Sequence, residues 1–215
     1  MSRQLPLALS TTPALTRADF IVSPGNAEAV AFVDSWPDWP VPAAALFGPS
    51  GCGKSHLGGA WAAQAGATVI DVRTLDDHRA AQVPSGPILL DNVDEAVPAE
   101  RDGALFRLLN RGDPALLIGR ESPERWPVLL PDLASRFHAL VSLPLWAPDD
   151  ALLAALARKL FEDRQLRVSA DVIHRMLTAL ERSPAAIRAF VEKLDQEALA
   201  RHRRITPSLV SELLA

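Results

Sequence analysis

Short apolar segments alternate with helical patterns along the first two thirds of the chain. Because the strand-like segments are continuously apolar, they indicate a parallel sheet covered by helices on both faces. The sequence therefore predicts an α/β fold with a five-stranded parallel sheet. The predicted strands are 44–47, 68–71, 88–90 (ending at Asp91), 115–118 and 139–143.

Helical patterns separate these strands. A helix over 26–35 follows the Ser23-Pro-Gly-Asn26 turn, and the Trp36-Pro-Asp-Trp-Pro40 segment ends it. Further helices are predicted over 54–65 and 100–110, with a short helical turn at 131–136.

Strand signals stop after residue 148, and the rest of the chain has four helical patterns. Each pattern carries one apolar stripe at i, i+3, i+4 spacing, which predicts a small all-helical bundle. Residues 1–16 lack a core-forming pattern and are expected to form a flexible tail. The predicted division is a tail over 1–16, a nucleotide-binding base over 17–147 and a helical lid over 148–215.

Composition narrows the functional classes. The net charge is −4, which argues against broad, unspecific affinity for nucleic acid or acidic membranes. The single cysteine, Cys52, cannot form an internal disulfide, and no apolar run is long enough to span a bilayer. The N-terminal segment is a poor match to a secretory signal. A cytoplasmic location is therefore expected.

The strongest chemical signal is a glycine-rich loop between the first strand and the helix at 54. It matches G-x-x-x-x-G-K-[ST], in which glycines let the backbone approach phosphates and helix N–H groups point at the anion. Lys54 supplies a positive charge and Ser55 a hydroxyl for Mg²⁺. Bound ATP or ADP is expected. The predicted binding residues are Gly48, Pro49, Ser50, Gly51, Cys52, Gly53, Lys54, Ser55 and the adjoining His56.

Asp91 forms the predicted second half of this site. A carboxylate at the carboxyl end of a neighbouring parallel strand can hold Mg²⁺ together with Ser55. Taken alone, an Asp at such a position is more often a turn or cap residue. Asn92 follows, and because an amide is a poor general base, slow intrinsic hydrolysis is expected. Cys52 is interpreted as a small residue that the loop tolerates.

Several segments in order carry a resemblance to the AAA+ module of the replication initiator DnaA, and more closely to the Hda family of DnaA homologues in its alphaproteobacterial form. The resemblance covers nearly the whole chain and implies an AAA+ P-loop domain followed by a helical lid. The segments are 4–9, 36–40, 48–56, 130–137, 147–150, 163–166 and 181–183.

The resemblance implies that the tail binds the polymerase sliding clamp. A glutamine and spaced apolar residues on a flexible segment can dock into a hydrophobic groove. Without the resemblance, a random leucine-rich terminus would be the simpler interpretation. The residues that match the family's clamp-binding motif are Gln4, Leu5, Leu7 and Leu9.

The resemblance also implies roles for arginines. Arg136 matches the arginine finger, which in Hda acts in trans on ATP held by DnaA and stabilises charge in the transition state. The alternative is a surface arginine in a local ion pair. By the same alignment Ala185 occupies the position of the lid arginine, so Arg182 or Arg188 is expected to sense the nucleotide. Arg120, after the fourth strand, is a further candidate sensor.

The resemblance implies a regulatory adaptor that binds DnaA and the DNA-loaded clamp, stimulates hydrolysis of DnaA-bound ATP and so represses re-initiation of replication. A homodimer is left open. No helix-turn-helix domain follows the lid, so specific DNA binding is not expected, and the basic cluster Arg201–Arg204 is interpreted as a charged helix end. The main alternative is an autonomous ATPase, such as a helicase loader or remodelling factor. A small-molecule kinase is a weaker alternative.

Overall fold

A five-stranded parallel sheet forms the centre of the first part of the chain. The computed structural model describes residues 16–146, 149–180 and 183–214. Neighbouring strands pair in the order β2-β3-β4-β1-β5, and every pairing is parallel. The predicted fold class is confirmed. The strands are β1 Ala43–Phe47, β2 Thr68–Asp71, β3 Ile88–Asp91, β4 Ala115–Gly119 and β5 Val141–Pro144.

Helices cover both faces of the sheet, and alternate strand residues enter two separate cores. On β1, Ala45 packs into one core, whereas Ala44 and Leu46 pack into the other. This division follows from the two-residue period of a strand. Helices α1 Ala27–Asp34 and α2 Lys54–Ala65 cover one face. The other face is covered by α3 Asp77–Gln82, α4 Pro98–Asn110 and α5 Pro131–His138.

The structure differs from the sequence-based prediction in helices α3 and α5 and in strand β5. Helix α3 was not predicted, because Ala80 is its one buried residue and no apolar stripe marks it. Strand β5 was predicted to begin at residue 139, but it begins at Val141. The helix before it runs to His138, and the amide of Ala139 bonds to carbonyls of its last turn. The helical turn at 131–136 is therefore longer than predicted.

Four helices with their own core follow the sheet. They are α6 Asp150–Asp163, α7 Ala170–Ala179, α8 Pro184–Ala200 and α9 Pro207–Leu214. Their apolar stripes meet in a third core that includes Leu153, Phe161, Met176 and Val191. The division between base and lid at 147/148 stays a prediction, because those two residues lie outside the described ones. Among the described residues, no helix is long and apolar enough to cross a bilayer.

A buried ion pair joins the sheet to helix α5. Arg101 is fully buried, and its Nη1 donates to the carbonyl of Val93, 2.5 Å away. Its Nη2 donates to the carbonyl of Pro127, and its guanidinium lies over the ring of Phe137. Burial lowers the pKa of Arg101, opposed by the charge of neighbouring Asp102. The arginine therefore ties the turn after β3 to the segment that leads into α5.

Asp102 completes this connection. Its Oδ2 accepts hydrogen bonds from the amides of Leu129 and Leu130, at 2.7 and 3.1 Å, just before α5 begins. Its Oδ1 lies 3.4 Å from Nε of Arg101. Two adjacent charged residues on a helix suggest a solvent-exposed face, so sequence analysis did not identify this pair.

We expect Asp102→Ala to destabilise the protein by about 3–5 kcal/mol, because it leaves the Arg101 charge buried without its partner. Denaturant unfolding measures the change. Asp77→Ala is the matched control, since its ion pair with Arg107 is exposed and is expected to be worth about 0.5 kcal/mol or less. Equal effects of the two substitutions would contradict the role given to the buried pair.

Candidate functional site

The glycine-rich loop lies at the carboxyl end of β1 and leads directly into α2. Gly48, Gly51 and Gly53 have φ angles of 149°, 77° and 105°. Residues other than glycine rarely adopt such backbone angles. A Cβ on Gly48 would overlap the carbonyl oxygen of Leu145, and one on Gly53 would lie 2.9 Å from the ring of Phe20. Glycine is therefore required at both ends of the loop.

Lys54 is the first residue of α2, and its ammonium group lies inside the loop. Its Nζ donates to the carbonyls of Gly48 and Pro49 at 2.8 and 2.9 Å, and the residue is only 9% exposed. A phosphate is a stronger partner for an ammonium group than a neutral carbonyl. The lysine is thus held where it can exchange loop carbonyls for an anion at the helix N-terminus.

Cys52 lies in the same loop, with its Sγ 3.8 Å from Nζ of Lys54. Burial raises the pKa of the thiol above its usual value, although the lysine charge opposes this. The cysteine is therefore protonated at neutral pH. This agrees with the interpretation of Cys52 as a small residue that the loop tolerates.

A cleft of about 400 Å³ opens above the loop, at the carboxyl ends of the parallel strands. This is the position where open α/β sheets bind ligands. The loop, the ends of β3 and β4, and the beginning of α8 all contribute to it. Its described lining consists of Ser50, Gly51, Gly53, Lys54, Ser55, His56, Asp91, Asn92, Asp94, Glu95, Ile118, Gly119, Arg120, Pro184 and Arg188.

Ser55 and Asp91 lie on the same cleft, as the sequence predicts. Magnesium usually keeps several waters and takes one or two protein oxygens together with substrate phosphates. A hydroxyl and a carboxylate fit that chemistry. Among the described residues, no group of three or more His, Cys, Asp or Glu could hold a metal by itself.

Asn92 also lines the cleft, directly after Asp91. Its backbone is left-handed, with φ of 61°, and its Nδ2 donates to Oδ1 of Asp71 at 3.2 Å. The Arg73 guanidinium, bonded to Asp71, lowers the pKa of that carboxyl to about 2. The amide is thus fixed by an ionised neighbour on β2. Neither the contact nor the strained backbone could be predicted from the sequence.

His56 connects the loop helix to the N-terminal segment. Its Nε2 lies 2.9 Å from the carbonyl oxygen of Thr16, and its ring forms a T-shaped pair with that of Phe20. Burial is the main cause that lowers the pKa of His56, and the charge of Arg188 acts in the same direction. The imidazole is therefore neutral at pH 7.

A second, smaller recess of about 50 Å³ adjoins the cleft. It shares Gly53, His56, Pro184 and Arg188 with the cleft lining. Its other walls come from the N-terminal segment, including Phe20 and the buried Asn26, and from helix α6. Apart from Cys52, sequence analysis assigned none of these wall residues to the site, because no motif marks them.

The lid contributes one of its two candidate arginines to the described cleft. Helix α8 begins at Pro184, after Ser183, whose Oγ accepts a hydrogen bond from the amide of Ala186. Arg188, in the second turn, lines both cavities. Arg182 lies outside the described residues, and so do the tail residues Gln4, Leu5, Leu7 and Leu9.

Arg136 lies on α5, apart from the nucleotide-binding loop. Its guanidinium donates to Oδ1 of Asn110 and lies 5.5 Å from the ring centre of Phe106. The residue is exposed, and the described lining of the cleft does not include it. Both interpretations from the sequence, an arginine finger and a locally bonded surface residue, therefore stay open.

Two arginines of the basic cluster at the end of α8 pair with neighbouring carboxylates. Arg201 forms an ion pair with Glu197 at 2.8 Å, and Glu212 forms ion pairs with both Arg201 and Arg203. Arg201 follows the last helical residue, where a cation also suits the helix dipole. This agrees with its interpretation as a charged helix end.

Comparisons with known proteins assign the fold. No family model and no curated protein matches the chain. Domain III of the Thermotoga maritima replication initiation protein DnaA is 20% identical, with a TM-score of 0.75 over 94% of this chain and 95% of that one. AMPPCP-bound DnaA from Aquifex aeolicus is also 20% identical, with a TM-score of 0.67 over 85% and 65%.

A substituted form of RuvB from Thermotoga maritima is similar at 13% identity, with a TM-score of 0.73 over 92% of this chain and 70% of that one. At these identities the likeness concerns the fold. The chain has the AAA+ fold, the α/β sheet architecture that these DnaA and RuvB domains share.

We expect Gly48→Ala to destabilise the protein by at least about 1–3 kcal/mol, because the backbone angle alone is strained for alanine. The added Cβ would also displace Leu145 or the loop. Gly59→Ala on the neighbouring helix is the control, since a Cβ there meets nothing within 4 Å. It should stabilise by about 0.5–1 kcal/mol. Thermal unfolding of both variants measures this, and equal melting temperatures would contradict it.

Proposed function

We propose that this chain binds ATP or ADP together with Mg²⁺ in the cleft above the loop. The observation that carries the proposal is the loop itself, with three glycines at positive φ and Lys54 buried at the N-terminus of α2. Ser55 and Asp91 would hold the magnesium ion. The adjoining recess, with Phe20 on its wall, offers an apolar surface for the base.

Intrinsic hydrolysis is proposed to be slow. The position after Asp91 carries Asn92, whose amide cannot take a proton from water. Its side chain is fixed by Asp71. A bound nucleotide would then act mainly as a structural ligand.

We expect the wild-type protein to bind a fluorescent ADP derivative at one site, and Lys54→Ala to weaken binding about 10- to 100-fold. The estimate rests on the loss of a charge-assisted contact. Lys193→Ala is the matched control, because Lys193 bonds to the carbonyl of Leu213 in the lid and lies outside the described lining of the cleft. Unchanged affinity in Lys54→Ala would contradict the proposed site.

The biological role is proposed to be that of a regulatory adaptor in the cytoplasm. Similarity to DnaA in fold, together with the sequence resemblance to Hda, supports a partner that is itself an ATP-bound DnaA. Arg136 is exposed and outside the described lining of its own cleft, which suits action on a nucleotide in a neighbouring subunit. The tail motif Gln4–Leu9 would attach the protein to the sliding clamp.

The main alternative is an autonomous AAA+ ATPase, such as a helicase loader or remodelling factor. The fold is compatible with both the adaptor and the autonomous ATPase, because proteins as different as DnaA and RuvB share it. Asn92 favours the adaptor, since a motor is expected to carry a second acid there. Self-association through the surface that carries Arg136 would suit either function.

We expect the protein, with clamp loaded on DNA, to accelerate hydrolysis of ATP pre-bound to purified DnaA. Arg136→Ala should lose most of this stimulation, because the guanidinium stabilises transition-state charge. Single-turnover release of labelled phosphate measures it. Arg107→Ala on helix α4 is the control, since that exposed arginine pairs only weakly with Asp77.

Deletion of residues 1–10 should abolish the clamp-dependent stimulation of hydrolysis while leaving nucleotide binding intact. Clamp-independent stimulation by the wild type would argue against the role of the tail. Absence of stimulation by folded, nucleotide-bound wild type would favour the autonomous ATPase.

A further inference from the structure

Residues 16–21 form a short strap that contacts both the sheet domain and the lid. Two adjacent side chains of the strap enter different cores. Phe20 is buried with residues of α1, α2 and the sheet, whereas Ile21 packs against the core of the lid helices. The backbone of Phe20 is extended, and successive residues of an extended chain face opposite sides. The strap therefore lies between the base and the lid.

On the side of the base, the strap packs directly on the phosphate loop. A Cβ on Gly53 would lie 2.9 Å from the ring of Phe20, so no space separates the ring from the loop. The ring of Phe20 also pairs with that of His56 on α2. Arg17 anchors the beginning of the strap through an ion pair with Asp34 of α1, at 2.7 Å. The strap thus forms one wall of the recess beside the loop.

On the side of the lid, Lys159 of α6 holds the strap. Its Nζ donates to the carbonyl of Ala18 at 2.6 Å and to Oδ1 of Asp19 at 3.0 Å. The side chains of Lys159 and Asp19 are 30% and 34% exposed, so solvent screens their ion pair only in part. This contact joins a lid helix to the residues directly before Phe20.

Asp19 is oriented for the contact with Lys159 by the strap itself. Its Oδ2 accepts hydrogen bonds from the hydroxyl and the amide of Thr16, at 2.7 and 3.2 Å, which leaves Oδ1 for the lysine. The bond from the Thr16 hydroxyl, followed by the bond from Lys159, lowers the pKa of Asp19 to about 2. The carboxylate is therefore ionised at neutral pH.

Lys159 does not itself belong to the site. It lies outside the described lining of both the cleft and the recess, whereas Asp19, Phe20 and Ile21 line the recess. Any influence of Lys159 on a ligand in the recess must therefore pass through the strap. Loss of its charge would free Asp19 and the carbonyl of Ala18 from the lid, next to the ring that packs on the loop.

We propose that Lys159 is a positioning residue of the nucleotide site, and that it acts through the strap. By holding the strap against the lid, it keeps Phe20 on Gly53 and keeps the recess closed on that side. Removal of the charge loosens this wall and speeds the release of a nucleotide whose base occupies the recess. This inference rests on the proposed nucleotide site.

The first measurement is the rate at which a fluorescent ADP derivative dissociates when excess unlabelled ADP is added. Lys159→Met should release it about three- to tenfold faster than the wild type, the size expected for loss of a partly exposed, charge-assisted contact. Methionine keeps an apolar stem on α6, so packing is largely retained. Arg158→Met is the matched control and should leave the rate unchanged. Arg158 is exposed on the same helix and lies outside the described lining of both cavities.

Cys52 provides a second readout that needs no nucleotide. It is the only cysteine of the chain, it is 6% exposed, and it lines the same recess as the strap. In the nucleotide-free protein, Lys159→Met should raise the rate at which N-ethylmaleimide alkylates Cys52 about threefold or more, because the strap opens more often. A lysine that only stabilised the lid would lower the melting temperature and leave this rate unchanged.

Wild-type rates of both ADP release and alkylation in folded Lys159→Met would overturn the role of Lys159 and leave the nucleotide site standing. A change in only one of the two rates would also overturn it, since the strap would then not connect Lys159 to the nucleotide. Failure of the wild type to bind ADP, together with faster alkylation in Lys159→Met, would instead overturn the proposed nucleotide site.

Discussion

The close approach of three strand ends at Gly48 is the constraint on which the rest of the site depends. The amide of Gly48 bonds to the carbonyl after β4, and the amide of Leu145, after β5, bonds to the carbonyl of Phe47. The carbonyl of Leu145 occupies the space that a Cβ on Gly48 would need. The ends of β4, β1 and β5 are thereby held together at the point where the loop begins, and this sets where α2 starts and where Lys54 points.

The negative charge at the cleft comes from a neighbouring strand end, that of β3. The carboxyl end of β3 supplies Asp91, and the turn after it supplies Asp94 and Glu95. Asp94 holds backbone amides, while Glu95 lies between two arginines. Asp94 and Glu95 are thus engaged in holding neighbouring groups in place. Together with the amide at Asn92, this arrangement supports the proposal that intrinsic hydrolysis is slow.

The sequence predicted the bounds of helices and strands best where a buried apolar segment adjoins a glycine-rich turn. The helix over 54–65 and the strand over 68–71 have the predicted bounds, because a glycine-rich loop and continuous apolar segments mark them. The loop and Asp91 meet on one cleft as expected. Helix α3 escaped prediction, since its exposed residues carry no periodic apolar signal.

Contacts between distant residues could not be predicted in this way. The buried Arg101–Asp102 pair resembles an exposed helix face in sequence, and its partners at Val93 and Pro127 belong to separate loops. The bond between Asn92 and Asp71, and the anchoring of Arg120 by Gly48, depend on strand order. That order is a property of the whole sheet and no single segment encodes it.

A crystal structure of the protein with ADP and Mg²⁺ would test the central claim most directly. We expect the β-phosphate within the loop, bonded by backbone amides between Gly51 and Ser55. We also expect Nζ of Lys54 to contact the phosphate in place of the carbonyls of Gly48 and Pro49. Nucleotide bound elsewhere at saturating concentration, or Lys54 unchanged beside an empty loop, would contradict the account.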